Sequence, residues 1–237
     1  MRGAENTFDI DKARELVGNQ LLWPRVRDFL WDFAPSIHST WIEEKFGSLE
    51  VWKFGLGDDQ TSKHPNLQTS TRLKRFILDS LGVEPCFHDF PKDDGSRLAL
   101  LDGATLLEIA KWLGALACAD ELRKVTDGET VRALKAALPG VYPEVFGYTA
   151  YFPQGDFQRR GAETQSLPES VAALGCAILL AALANLPASL VSRLTFKFPK
   201  DLCASAPLRE KKDTVALSAI LKLLKLKFPE AYSLCCS

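Results

Sequence analysis

Residues 168–186 read PESVAALGCAILLAALANL and carry apolar side chains nearly all round a helix. A helix with no polar face leaves nothing for water and needs neighbours on every side. The rest of the chain must therefore wrap around this one element. Ser166-Leu167-Pro168-Glu169 has the pattern of a capping box at its start. The wider stretch Val171 to Val191 has no charged residue, which makes it the one membrane candidate. Asn185, Pro187, Ser189 and many small residues make it a poor span, and the apolar run is short and interrupted, so the reading is a buried central helix.

A chain of 237 residues has length enough for such a core, as one large domain or two small ones. Hydrophobic residues at 46% and charged residues at 25% are ordinary globular values. The net charge of −1 gives no bias toward nucleic acid or an anionic membrane surface. The first residues, MRGAENTFDIDKA, have no apolar stretch of the kind a secretory signal needs. Six cysteines at 86, 118, 176, 203, 235 and 236 are scattered, two of them inside apolar helix patterns. That suits reduced thiols in a cytosol, not a disulfide framework.

Helical periodicity recurs elsewhere and predicts an all-α fold. Asp9 or Asp11 caps a short first helix. Pro24 opens a second, to Phe33, with Val26, Phe29, Leu30 and Phe33 inward, and Pro35 opens a third that ends near Gly47. Gly55 to Asn66 is a loop. Thr69 to Leu81 is a helix with Leu73, Phe76 and Ile77 inward and Arg72, Lys74 and Arg75 solvated. Gly82 to Ser96, with Pro85, Pro91 and the turn Lys92-Asp93-Asp94-Gly95, is a loop and the best boundary. It divides an aromatic-rich helical region, 1–95, from a helical core, 96–237.

In that core, Asp102 caps a helix from about Ala104 to Ala117, and Asp127 caps one from Glu129 to Leu138. Ala110, Gly114 and Ala117 are small, so another helix can approach closely there. Val141 to Phe152 is a short helix or packed irregular segment, and Gln154 to Gln165 an exposed loop. Leu194, Phe196 and Phe198 alternate with Thr195 and Lys197, the pattern of a short strand or extended segment ended by Pro199. Asp213 caps the last long helix, which runs to about Phe228.

No catalytic constellation emerges. GxxxxGK[ST], GxGxxG after a strand, HExxH and GxSxG are all missing. Cys86-Phe87-His88-Asp89 is the one local group of potential metal ligands, but it lacks the second close pair a closed zinc site uses. His38 and His64 stand apart from it. Cys118 and Cys176 sit among alanines and leucines, where a thiol acts as a small hydrophobe. The terminal Cys235-Cys236-Ser237 does not fit a C-a-a-X box and reads as a frayed tail. The expectation is no enzyme, no cofactor and no metal.

Two features bear on protein contacts. Trp23, Trp31, Trp41 and Trp52 crowd the first region, either as an aromatic core or as a contact surface. In the last helix Leu217, Ile220, Leu221, Leu224 and Phe228 share one face. Leu226 lies nearly opposite and Leu223 to its side, flanked by Lys222, Lys225 and Lys227. A second stripe means either full burial or a partner-binding ridge. Trp31, Trp41, Leu223 and Leu226 are the candidate interaction residues.

From about Arg97 to the C-terminus the chain resembles the SctK family (YscK, PscK and relatives). The resemblance is carried by Leu113-Gly114-Ala115-Leu116 with Glu121-Leu122-Arg123-Lys124, and by Gly128-Glu129-Thr130-Val131-Arg132-Ala133-Leu134. It continues through the small-residue helix around Gly175 to Leu183, then Arg193-Leu194-Thr195-Phe196-Lys197-Phe198-Pro199. It closes with Leu221-Lys222-Leu223-Leu224-Lys225 and Pro229. It implies a cytoplasmic, non-catalytic adaptor of the type III secretion sorting platform, recruited to the inner membrane at the injectisome. The implied partners are the cytosolic domain of the ring protein SctD and the pod protein SctQ, and through them the stator SctL and the ATPase SctN. The readings that stand against it are a small helical enzyme or ligand-binding protein with a Cys/His site, and a secretion chaperone or regulator.

Overall fold

The computed structural model describes residues 22–47, 67–84, 86, 88–91, 95–152, 167–204 and 214–236. Among these it is all-α, with eleven α-helices and no strand. They are α1 (Leu22–Trp31), α2 (Ser39–Phe46), α3 (Leu67–Ser80), α4 (Gly103–Ala117), α5 (Ala119–Lys124) and α6 (Gly128–Ala137). After them come α7 (Leu167–Ala182), α8 (Ala188–Phe196), α9 (Lys200–Ala204), α10 (Thr214–Lys227) and α11 (Pro229–Cys236). The first helix expected near Asp9, the loop 55–66, the turn 92–94, the loop 154–165, Trp52 and the caps Ser166 and Asp213 lie outside the described residues.

The apolar helix is the centre of the molecule. Every residue of α7 from Ser170 to Leu179 is buried, and α4, α6, α8, α9 and α10 all pack on it. Its main partner is α4, and the reason is steric. A Cβ placed on Gly114 would sit 1.8 Å from the carbonyl oxygen of Val171; one on Gly175 would sit 1.7 Å from that of Ala110. The two glycines answer each other across the crossing, so the helices meet backbone to backbone. Close packing of this kind multiplies dispersion contacts along both helices.

The predicted caps form as drawn. Asp102 accepts a hydrogen bond from the Thr105 amide at 2.8 Å, and Asp127 from the Thr130 amide at 2.7 Å. Each satisfies an amide that the first turn leaves open. α2 is capped by His38 instead, whose Nδ1 accepts from the Thr40 amide at 3.3 Å. Burial holds the His38 imidazole below its ordinary pKa, which keeps that nitrogen able to accept.

Four expectations need correction. Leu194 to Phe198 is not a strand: Ala188–Phe196 is helix α8. Its alternation misleads because Lys197, which stands at a polar position of that pattern, is buried. The C-terminal tail is not frayed: Pro229–Cys236 forms α11, with Ala231 and Cys235 in the core. Pro35 opens only the 3-10 turn Ala34–Ser36, and the helix itself begins after His38. Phe76, expected inward, faces water, while Ile77 takes the core position. Of the segment expected as a loop, the described residues 82–84, 86 and 88–91 are in no helix, Ser96 already belongs to the 3-10 turn Ser96–Leu100, and Val83, Cys86 and Phe90 are buried. Residues 144–147 and 149–151 are 3-10 turns, which matches the packed irregular alternative.

Candidate functional site

The segment Arg193 to Lys200 holds the first helices to the core. Arg193 is buried at the end of α8. Its Nη2 donates to the Glu84 carbonyl at 3.0 Å, and its Nη1 donates to the carbonyls of Phe29 and, at 3.3 Å, Leu30. The guanidinium also lies 5.2 Å from the Phe33 ring centre. A cation on the last carbonyls of α1 suits the negative end of that helix. One turn on, the His38 amide donates to the Phe196 carbonyl at 2.8 Å. The Trp41 indole donates to the Phe198 carbonyl at 2.8 Å and packs edge-on to Phe196. Lys200 pairs with Glu44.

Lys197 completes the seam. Its ammonium donates to the carbonyls of Ala99 at 2.6 Å and Leu101 at 2.7 Å, with the Phe29 ring at 5.0 Å. Burial pushes its pKa down to about 7, against the opposing pull of Asp102. Below pH 7 the buried charge costs the folded state its full penalty. Between 7 and the ordinary 10.5 the folded lysine releases its proton while the unfolded one keeps it, so stability rises with pH. The window to read is about pH 7 to 8.5, before unfolded thiols titrate and act in the opposite sense. The expected result is a chemical-denaturation midpoint that climbs over this window and is flat, or nearly so, in Lys197→Met. Equal slopes for the two proteins would assign the effect elsewhere.

Four of the cysteines are poorly placed for nucleophilic chemistry. Burial pushes the Cys203 thiol up to about 11 and Cys235 up to about 12. Burial also raises Cys86 and Cys176. A raised thiol carries little thiolate near neutral pH and attacks slowly. Among the described residues no three His, Cys, Asp or Glu side chains gather as a metal site would require.

The four candidate contact residues part company. Trp31 is 52% exposed and packs edge-on to Trp23 at 5.9 Å between ring centres. Trp41 is half-buried and serves the seam just described. Leu223 is fully buried, so it belongs to the core side of α10. Leu226 is 42% exposed, with Lys222 and Lys225 exposed beside it. Lys227 is not part of an open ridge. It pairs with Glu144 at 2.6 Å and lies 4.5 Å from the ring centres of both Trp112 and Tyr148. Burial by itself would lower its pKa, but Glu144 and Tyr148 outweigh that and hold it above the ordinary value. Phe76, on α3, is the large exposed apolar residue that sequence reasoning missed, at 57%. The signal was present: Phe76 and Ile77 compete for one inward position, and only one can take it.

Among the described residues no helix is long and apolar enough to cross a membrane. No curated protein and no solved structure matches the chain. A scan against protein families matches residues 31–235 to the family described as YOP proteins translocation protein K (YscK). That span starts at Trp31 and so takes in α2 and α3, upstream of Arg97, where the resemblance begins. The chain belongs to the YscK family and is thus a protein of type III secretion.

Proposed function

We propose that the protein is a non-catalytic adaptor of the injectisome sorting platform. It links the cytosolic domain of SctD to the SctQ pods at the cytosolic face of the inner membrane, with SctL and SctN reached through SctQ. The family match carries this reading. The arrangement of side chains supports it: the Cys86, Cys176 and Cys235 thiols are buried and raised, while Trp31 on α1 and Leu226 on α10 stand out to solvent. An adaptor needs two separable surfaces, and these two residues lie on different helices.

The test is co-purification of the full chain with the SctD cytosolic domain and with SctQ from the same organism, each measured separately. Trp31→Ala and Leu226→Asp both alter exposed side chains, so both variants should melt like the wild type. Each is expected to weaken one partner by roughly 30-fold, the size of an interface hot spot of about 2 kcal/mol. Wild-type protein that binds neither partner sinks the adaptor reading.

A further inference from the structure

Two titratable groups sit on the seam between the first helices and the core, and in both the geometry favours the unprotonated form. His38 caps α2 through its Nδ1, which accepts from the Thr40 amide at 3.3 Å and lies 3.0 Å from the Thr40 hydroxyl. A protonated imidazole has no acceptor left, so that nitrogen would keep the hydroxyl and lose the amide. The cap is itself stitched to the core. The His38 amide donates to the Phe196 carbonyl at 2.8 Å, and the Lys200 amide donates to the Thr40 hydroxyl at 3.0 Å. Between those two ties in sequence lies Lys197, buried, with the neutral carbonyls of Ala99 and Leu101 as its acceptors. A neutral amine satisfies both with its two hydrogens, whereas a buried ammonium bears the cost of leaving water.

Burial is the largest influence on Lys197 and lowers its affinity for a proton; Asp102, at the head of α4, raises it and Arg25, on α1, lowers it. The Phe29 ring, 5.0 Å from the amine, favours the charged form, and Arg193 lies 5.8 Å from the same ring. At His38 burial again dominates, against the pull of Glu43. Glu44 is paired with Lys200. His88, the other described histidine, stands edge-on to Phe90, whose ring meets Phe29. When α1 leaves the core, Phe29 uncovers the amine and Arg25 departs with its helix, while Asp102 stays. The open form therefore takes up protons that the closed form refuses. α1 packs on the 3-10 turn Ser96–Leu100, whereas the helices packed closely on α7 are α4, α6, α8, α9 and α10. The first helices can thus part from the core without breaking the α4–α7 crossing.

We propose that this seam is an acid-released clasp: as pH falls through the neutral range, proton uptake at Lys197 and His38 frees α1 and α2 from the core while the helices around α7 stay folded. The device lies within one chain, so its test needs no partner and leaves the adaptor reading untouched. Amide hydrogen exchange of the full chain at about pH 8, 7 and 6, each rate divided by its intrinsic value, gives the opening constant of each helix. In the wild type, α1 and α2 are expected to be less protected than the centre of α7 throughout. Their opening constant is expected to rise by up to about tenfold from the highest pH to the lowest through Lys197, whose closed value of about 7 lies far below the ordinary 10.5. His38 adds to the rise at the acid end, because the closed form holds it below the ordinary 6.5 at which the open form protonates. Lys197→Met removes the first part. His38→Asn, which keeps a good cap without a titrating group, removes the second. The double variant should be nearly flat. If Lys197→Met melts too low to measure, His38→Asn carries the test over the acid half of the range. Equal protection of α1 and α7 in the wild type at every pH means that the chain opens only as a whole, and overturns the clasp. A wild-type rise that survives in the double variant belongs to other groups, His88 foremost, and overturns both triggers. An opening constant that does not rise on acidification overturns the device outright.

Discussion

Gly114→Ala and Gly175→Ala are each expected to destabilise the protein by on the order of 3 kcal/mol, although each adds one methyl group. Overpacking usually costs about 1–3 kcal/mol and more where the neighbour cannot turn aside. Here the neighbour is a backbone oxygen at 1.8 Å or 1.7 Å from the new carbon, so two whole helices must part. In a chain of this length the melting temperature should fall by roughly 6–12 °C. Because one separation relieves both clashes, the double variant should cost less than the sum of the two. Gly128→Ala is the control: it opens α6, and nothing lies within 4 Å of its added carbon. Thermal melts of the four variants check the set. A Gly114→Ala protein that melts with the wild type would mean that α4 and α7 do not touch there.

Arg193→Met is expected to cost about 3 kcal/mol, because methionine keeps most of the packing and none of the donors. The carbonyls of Phe29, Leu30 and Glu84 would lose their partner. A polar group left unsatisfied in a buried place costs about 1–3 kcal/mol, and Glu84, nearer to water, less than the others. Arg193→Lys restores the charge but cannot reach both α1 and the loop, so it should recover only part of the loss. Hydrogen exchange adds the spatial check. Amides of α1 should exchange faster in Arg193→Met while those at the centre of α7 keep most of their protection. Uniform loss across both helices would argue against a local clamp.

What the sequence discloses here depends on whether a residue's neighbours are local. Asp102 and Asp127 act within one turn, so their caps and the starts of α4 and α6 were readable to within a residue or two. The all-apolar pattern of α7 left no alternative to the centre, and the small residues of α4 announced a close approach. The failures share the opposite cause. Lys197 and Arg193 look like solvent-facing residues, yet their donors are taken up by carbonyls roughly a hundred residues distant. With Lys197 counted as exposed, 194–198 resembles a strand. Leu223 looked lateral on α10, but the neighbours of that helix cover its side as well as its face. Of the interaction candidates, the pattern could name Trp31 and Leu226 but could not tell them from Trp41, whose indole finds its acceptor 157 residues onward.

That long reach matters while the chain is being made. The ribosome releases α1 and α2 first, but their acceptors and donors at 193–198 come 157 to 164 residues later. At a synthesis rate of about 5–20 residues per second, the delay is roughly 10–30 s. Through that interval the early helices have neither Arg193 nor the Phe198 carbonyl to close on. The contacts that hold α1 and α2 to the core thus close only after residues 193–198 have emerged.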